Sequence, residues 1–163
     1  MIQRIQSLYL LLVAGLCATI LFVDSAFYTE SGMVANQNEN IQIKVSYTAT
    51  SVSLSEGNFT EEMSNSGMVY FIGAIGLLAF VTIFLYKNRN LQLKLTSIQI
   101  AMTLVLIGMM YMYSFGKSYT DVETQQAVLV GSFFPISIII LGVLAYMSIK
   151  KDENLVRSLD RLR

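Results

Sequence analysis

The chain has 163 residues, of which 54% are apolar and 13% charged, with 11 basic and 11 acidic side chains giving a net charge of zero. The length allows one domain, residues 1–163, and the charged share is about half that of an average soluble domain. No histidine, a single cysteine and a neutral balance exclude His/Cys metal centres, an intramolecular disulfide framework and a basic nucleic-acid module. The apolar content excludes a disordered tail.

The few charges avoid four stretches, residues 7–23, 64–86, 95–116 and 124–149, which are 17, 23, 22 and 26 residues long. A membrane-crossing helix needs about 20 mostly apolar residues. None of the four reads as a soluble amphipathic helix with one polar face. The pattern predicts an all-α membrane protein, a four-helix antiparallel transmembrane bundle with helices at about 5–23, 68–86, 95–115 and 127–149.

The first of these could be a signal peptide, but its apolar run is longer than a usual h-region and no small-x-small cleavage site follows. Ala14-Gly15-Leu16-Cys17 has the flavour of a lipoprotein site, yet Leu16 stands where a small residue is needed. Cys17 is therefore expected to pack as a small apolar side chain. Overlapping small pairs, Ala14/Ala18 and Gly15/Thr19, suit close helix contact, as do Gly73, Gly76, Gly108, Gly131 and Gly142 on the later spans.

Lysine and arginine set orientation. The N-terminus, the connection between helices two and three, and the C-terminus carry nine: Arg4, Lys87, Arg89, Lys94, Lys150, Lys151, Arg157, Arg161 and Arg163. The other side carries two, Lys44 and Lys117. Both termini are expected in the cytoplasm. Acids sharpen the polarity: two bases against eight acids give the outer side −6, and nine against three give the inner side +6.

The first outer connection, 24–67, is too long for a plain loop. Ile41-Gln42-Ile43-Lys44-Val45-Ser46-Tyr47-Thr48 alternates with period two and predicts a half-buried strand. The alternation breaks at Thr50-Ser51 and resumes one residue out of step at Val52-Ser53-Leu54, which implies a bulge or a tight turn. Phe27-Tyr28-Thr29 is a further strand candidate. A small β-strand cap in this first outer loop is the expectation. Its acids do not have the spacing of a calcium loop. A headgroup-level active site using Glu61, Glu62, Asp121 or Glu123 is the one place left for catalysis.

Within the spans there are no ionisable groups, whereas a proton-coupled carrier or an intramembrane hydrolase needs them. No catalytic, metal or cofactor-binding residue is therefore assigned. Gln99 is the only amide inside a span, and it either lines a polar crevice or makes an interhelical hydrogen bond. Pro135 is expected to kink or locally unwind helix four, with Ser132 and Gly131 accommodating the freed carbonyls. Gln99, Ser132 and Pro135 are the candidate hinge or crevice residues. In the tail, 150–163, Leu155, Leu159 and Leu162 share one helical face, and Arg157, Arg161 and Arg163 are candidates for contact with an anionic leaflet or a cytosolic partner.

Met1-Ile2-Gln3-Arg4-Ile5-Gln6-Ser7-Leu8-Tyr9-Leu10 and the closing Lys150-Lys151-Asp152-Glu153, Val156-Arg157-Ser158 and Asp160-Arg161-Leu162-Arg163 resemble an uncharacterised family of small four-helix inner-membrane proteins of Bacteroidota. The resemblance spans the chain and implies an inner-membrane location without an assigned activity. The layout is also similar to that of claudin-type tetraspan proteins, but the tryptophan and paired cysteines of claudin-like outer loops are missing here. The functional expectation is a non-catalytic accessory or scaffold subunit, partnered by the lipid bilayer and by a membrane protein or a second copy, not by nucleic acid. The competing reading is a passive carrier, channel or lipid-handling protein.

Overall fold

The computed structural model describes residues 3–23, 25–33, 40–54, 57–86, 88–115 and 125–160. Four long helices, α1 Gln3–Phe22, α2 Ser66–Phe84, α3 Arg89–Phe115 and α4 Phe133–Asp160, stand beside a small antiparallel sheet. Each is long and apolar enough to cross a membrane. The helices form a closed ring in which α1 packs on α2 and α4, and α3 packs on the same two.

The buried positions recur at alternating intervals of four and three. They are Gln6, Leu10, Val13, Cys17 and Ile20 on α1, and Met68, Ile72, Ile75, Ala79 and Thr82 on α2. On α3 they run Gln92, Thr96, Gln99, Thr103, Leu106 and Met110; on α4, Pro135, Ile138, Gly142, Ala145, Ile149 and Asp152. A mean spacing of 3.5 residues keeps one seam facing the partners along each whole helix, the arrangement of coiled-coil packing.

Helix boundaries depart from the apolar runs. α3 begins at Arg89, six residues before the expected 95, and α4 runs on to Asp160, well past 149. Both extensions are polar but rich in good helix formers. An apolar run marks the part of a helix that avoids water, not where its hydrogen bonding stops. The tail is therefore a continuation of α4 as far as Asp160.

The start of α4 moves the other way. Residues 125–128, adjoining and overlapping the expected helix at 127, form a strand, and a 3-10 turn Val130–Ser132 leads into Phe133. Pro135 thus occupies the third helical position. There the ring has no full helical turn before it to clash with, and only the Gly131 carbonyl goes without its amide. Any bend or unwinding at Pro135 therefore falls at the start of α4, just after a 3-10 turn, and not in the body of a helix begun at 127.

The sheet has order β4-β3-β2-β1-β5, with β1 Ala26–Met33, β2 Asn40–Ser46, β3 Ala49–Leu54, β4 Gly57–Ser64 and β5 Gln125–Val128. All pairings are antiparallel. The cap is not confined to the first long connection, since β5 comes from the connection between α3 and α4 and pairs with β1. The break in alternation proves to be a tight turn at Tyr47–Thr48, with Val45 opposite Thr50. Ile43 and Val45 point inward while Gln42 and Lys44 are exposed. A bulge in β1, between Ala26 and Tyr28, lets the consecutive Phe27 and Tyr28 both be buried.

Candidate functional site

Two places concentrate polar groups inside this frame: the junction between cap and helices, and the half of the helical seam that lies toward the chain termini. At the junction, the hairpin tip places Tyr47 inside the bundle with no exposure. Its ring lies 4.9 Å from that of Phe27, tilted by 49°. Its hydroxyl donates to the Gly131 carbonyl at 2.8 Å and sits 3.5 Å from Met110 Sδ. Gly131 must be glycine, because a Cβ there would collide with the Ala26 carbonyl and approach Phe27 N to 3.2 Å. The strand–turn contact is completed by two donors to the Phe27 carbonyl, Leu129 N–H at 3.0 Å and Ser132 Oγ at 2.7 Å.

Asn65 ties the same cap to α2. Its Nδ2 donates to the Ser46 carbonyl at 2.8 Å and to Thr50 Oγ1 at 3.0 Å, while its backbone N–H reaches the Thr48 carbonyl at 2.9 Å. Its carbonyl receives Met68 N–H at 2.9 Å, the first bond of the helix. One buried amide therefore fixes a hairpin turn and a helix start together.

Below the cap, a cavity of about 190 Å³ opens between α3 and α4, with Tyr28, Tyr111, Ser114 and Ser132 as hydroxyl-bearing residues in its otherwise apolar lining. Burial, and then the charge of Glu30, push the Tyr28 phenol above its ordinary value.

Toward the termini the seam turns polar. Gln92, Thr96, Gln99 and Thr103 form a stripe on the buried face of α3, joined by Thr82 of α2, Gln6 of α1 and Asp152 of α4. Thr96 and Thr103 return their hydroxyls to the carbonyls of Gln92 and Gln99, at 2.8 and 2.9 Å. Gln92 Nε2 donates to the Thr82 carbonyl at 3.3 Å, in the last turn of α2. Gln6 Nε2 donates to the Asp152 carboxylate and to the Ser148 carbonyl, the latter at 3.3 Å. Arg89 Nη1 donates to the Asp152 carbonyl at 2.8 Å. Asp152 thus joins α1, α3 and α4 at their terminal ends.

Gln99 is 1% exposed, and neither its Nε2 nor its Oε1 has a hydrogen-bond partner among the described residues. The notch that admits it is Gly142, whose Cβ position lies 4.0 Å from Nε2. Among the three candidate crevice residues, Ser132 and Pro135 meet at the capped end, but Gln99 does not join them. Its neighbour Gly142 lies seven residues beyond Pro135, about 10 Å along the helix axis. Arg157 belongs to α4, though its side chain is outside the description, and Arg161 and Arg163 lie outside the described residues. Asp121 and Glu123 also lie outside them, and of Glu61 and Glu62 only the backbone, in β4, is described. Among the described residues, no three of His, Cys, Asp and Glu gather as a metal site would need.

The sequence carries a signal for the inward polar stripe on α3, since Gln92, Thr96, Gln99 and Thr103 follow the spacing of four, three, four, but an otherwise apolar run hides it as a face. It runs against the soluble pattern, because here the polar face is the buried one. Asp152 gave no such sign: it reads as part of a charged tail until the ring of helices encloses it.

The family model described as "Domain of unknown function (DUF4293)" matches residues 2–162, so the chain belongs to that family. No curated protein matches it.

Proposed function

For this member of the family we propose a multi-pass protein of the bacterial inner membrane, in a Bacteroidota host, with both termini in the cytoplasm. It acts there as a non-catalytic accessory or scaffold subunit. It needs no cofactor, and its partners are the lipid bilayer and a membrane protein or a second copy, not nucleic acid. The bilayer reading is supported by the outward faces of the helices, where Leu11, Leu77, Phe80, Leu104 and Ile140 are all more than half exposed. Lipid tails satisfy such faces, while every backbone bond stays within a helix. The bias of nine lysines and arginines against two supports the orientation.

One observation carries the scaffold reading. The ring is closed by fully buried seam residues such as Leu10, Val13, Ile75 and Leu106, while Gly15 and Gly108 face outward with nothing within 4 Å of a Cβ. Small residues on an outward helix face let a second helix approach closely. Gly76, by contrast, already serves the bundle, with Cys17 Cβ at 3.0 Å.

Photocrosslinkers at positions 15 and 108, in native membranes, test this. A discrete protein adduct at fixed stoichiometry, retained in mild detergent, is expected. Adducts to lipid alone, together with solute or lipid flux in liposomes, overturn the scaffold reading. The carrier reading has one observation in its favour, the buried Gln99 amide without a partner among the described residues, and it then requires the flux to change in Gln99→Leu.

A further inference from the structure

The outer surface of α3 and α4 near the terminal end has a feature that the scaffold reading does not use. Two adjoining grooves, of about 360 and 510 Å³, meet at Tyr146. The first lies between α3 and α4 and includes Lys94 and Ile98, and the second, on α4, includes Met147, Lys150 and Lys151. Lys94, Lys150 and Lys151 are exposed, and none forms an ion pair among the described residues. Ile98 and Met147 lie nearer the middle of the helices and are 49% and 60% exposed. Three cations without an ion-pair partner among the described residues thus line two grooves that share a tyrosine, beside exposed apolar side chains.

We propose that this groove binds an anionic phospholipid. Its phosphate lies among Lys94, Lys150 and Lys151, and its acyl chains lie along Ile98 and Met147. The proposal rests on the membrane reading above. Charge complementarity selects the headgroup, because an anionic lipid brings net negative charge to the three lysines and a zwitterionic one brings none. Each lysine near a headgroup layer contributes about 1 kcal/mol toward an anionic lipid. Tyr146 sits where an amphipathic ring is favoured, between tails and headgroups. The apolar floor selects a lipid over free phosphate, which could use only the cations.

The test is native mass spectrometry of the full chain in micelles doped with phosphatidylglycerol, cardiolipin or phosphatidylcholine. Wild type is expected to retain the two anionic lipids and not phosphatidylcholine, and excess inorganic phosphate is expected not to displace them. Lys94→Gln/Lys150→Gln/Lys151→Gln should weaken retention about a hundredfold, from the summed lysine contributions. The triple arginine variant should retain lipid, and circular dichroism should show both variants as helical as wild type. Equal retention of phosphatidylcholine, retention unchanged by the glutamine variant, or displacement by phosphate overturns the proposal. Extraction of the protein from cell membranes by alkaline carbonate without detergent would instead refute the membrane reading itself, so the two failures are distinct.

Discussion

The hydroxyl of Tyr47 donates to the carbonyl of Gly131, and that carbonyl is the one that Pro135 leaves without a helical amide. In a helix the amide of residue 135 would serve the carbonyl of residue 131. Proline has none, and the phenol from a hairpin tip 84 residues away in sequence takes its place. The same contact joins the cap to the helices and starts α4.

Tyr47→Phe should therefore remove the phenol's bond to a buried carbonyl, leaving it only the Phe133 N–H, and cost about 0.5–1.5 kcal/mol. Thermal unfolding in detergent measures the loss. A melting temperature equal to that of wild type would show that the contact contributes nothing.

A pH dependence follows from the same residue. Burial pushes the Tyr47 phenol above its ordinary value of 10.0, so the folded state keeps the proton where the unfolded chain releases it. Stability is then fully present below about pH 10 and falls as pH rises beyond it, because the unfolded state binds fewer protons there. Tyr28 shifts in the same direction and adds to the fall. Denaturant titrations at pH 8 and pH 11 should show the lower midpoint at pH 11, with a smaller difference in Tyr47→Phe.

Gly131→Ala places a methyl group against the backbone of Ala26, which cannot move aside as a flexible side chain would. Overpacking of this kind costs about 1–3 kcal/mol. Protease sensitivity of the sheet should rise in this variant, and more than in Gly15→Ala, where nothing lies within 4 Å.

Gln99→Leu separates structure from function. It removes an amide that has no partner among the described residues and should raise stability by about 1–3 kcal/mol. A lower melting temperature would show that the amide is bonded through an internal water.

Asp152→Ala strips one of the two acceptors of the Gln6 amide, leaving the Ser148 carbonyl, and should cost about 1–3 kcal/mol. Asp152→Asn keeps an acceptor oxygen and should cost less. The Arg89 bond is made to the backbone carbonyl and should survive in both variants. Unfolding midpoints of the two substitutions, compared with that of Gln6→Ala, check this ordering.

The sequence alone determined the four apolar spans, the alternating strand around Ile43 and Val45, and the charge asymmetry between the two sides. Each is a local property, readable in a window no longer than one element. What only the tertiary structure decided was the meaning of the polar residues between them. Gln92 and Thr96 face the seam because the ring closes on that side of α3, and Asp152 is buried because α1 and α3 arrive beside it. Residues 125–128 become a strand because β1 offers them an unpaired edge, although their neighbours to the right read as a helix. Pro135 is harmless because Tyr47 reaches the carbonyl it frees. Such outcomes depend on partners distant in sequence, and hydrogen bonding and burial are settled only when those partners meet.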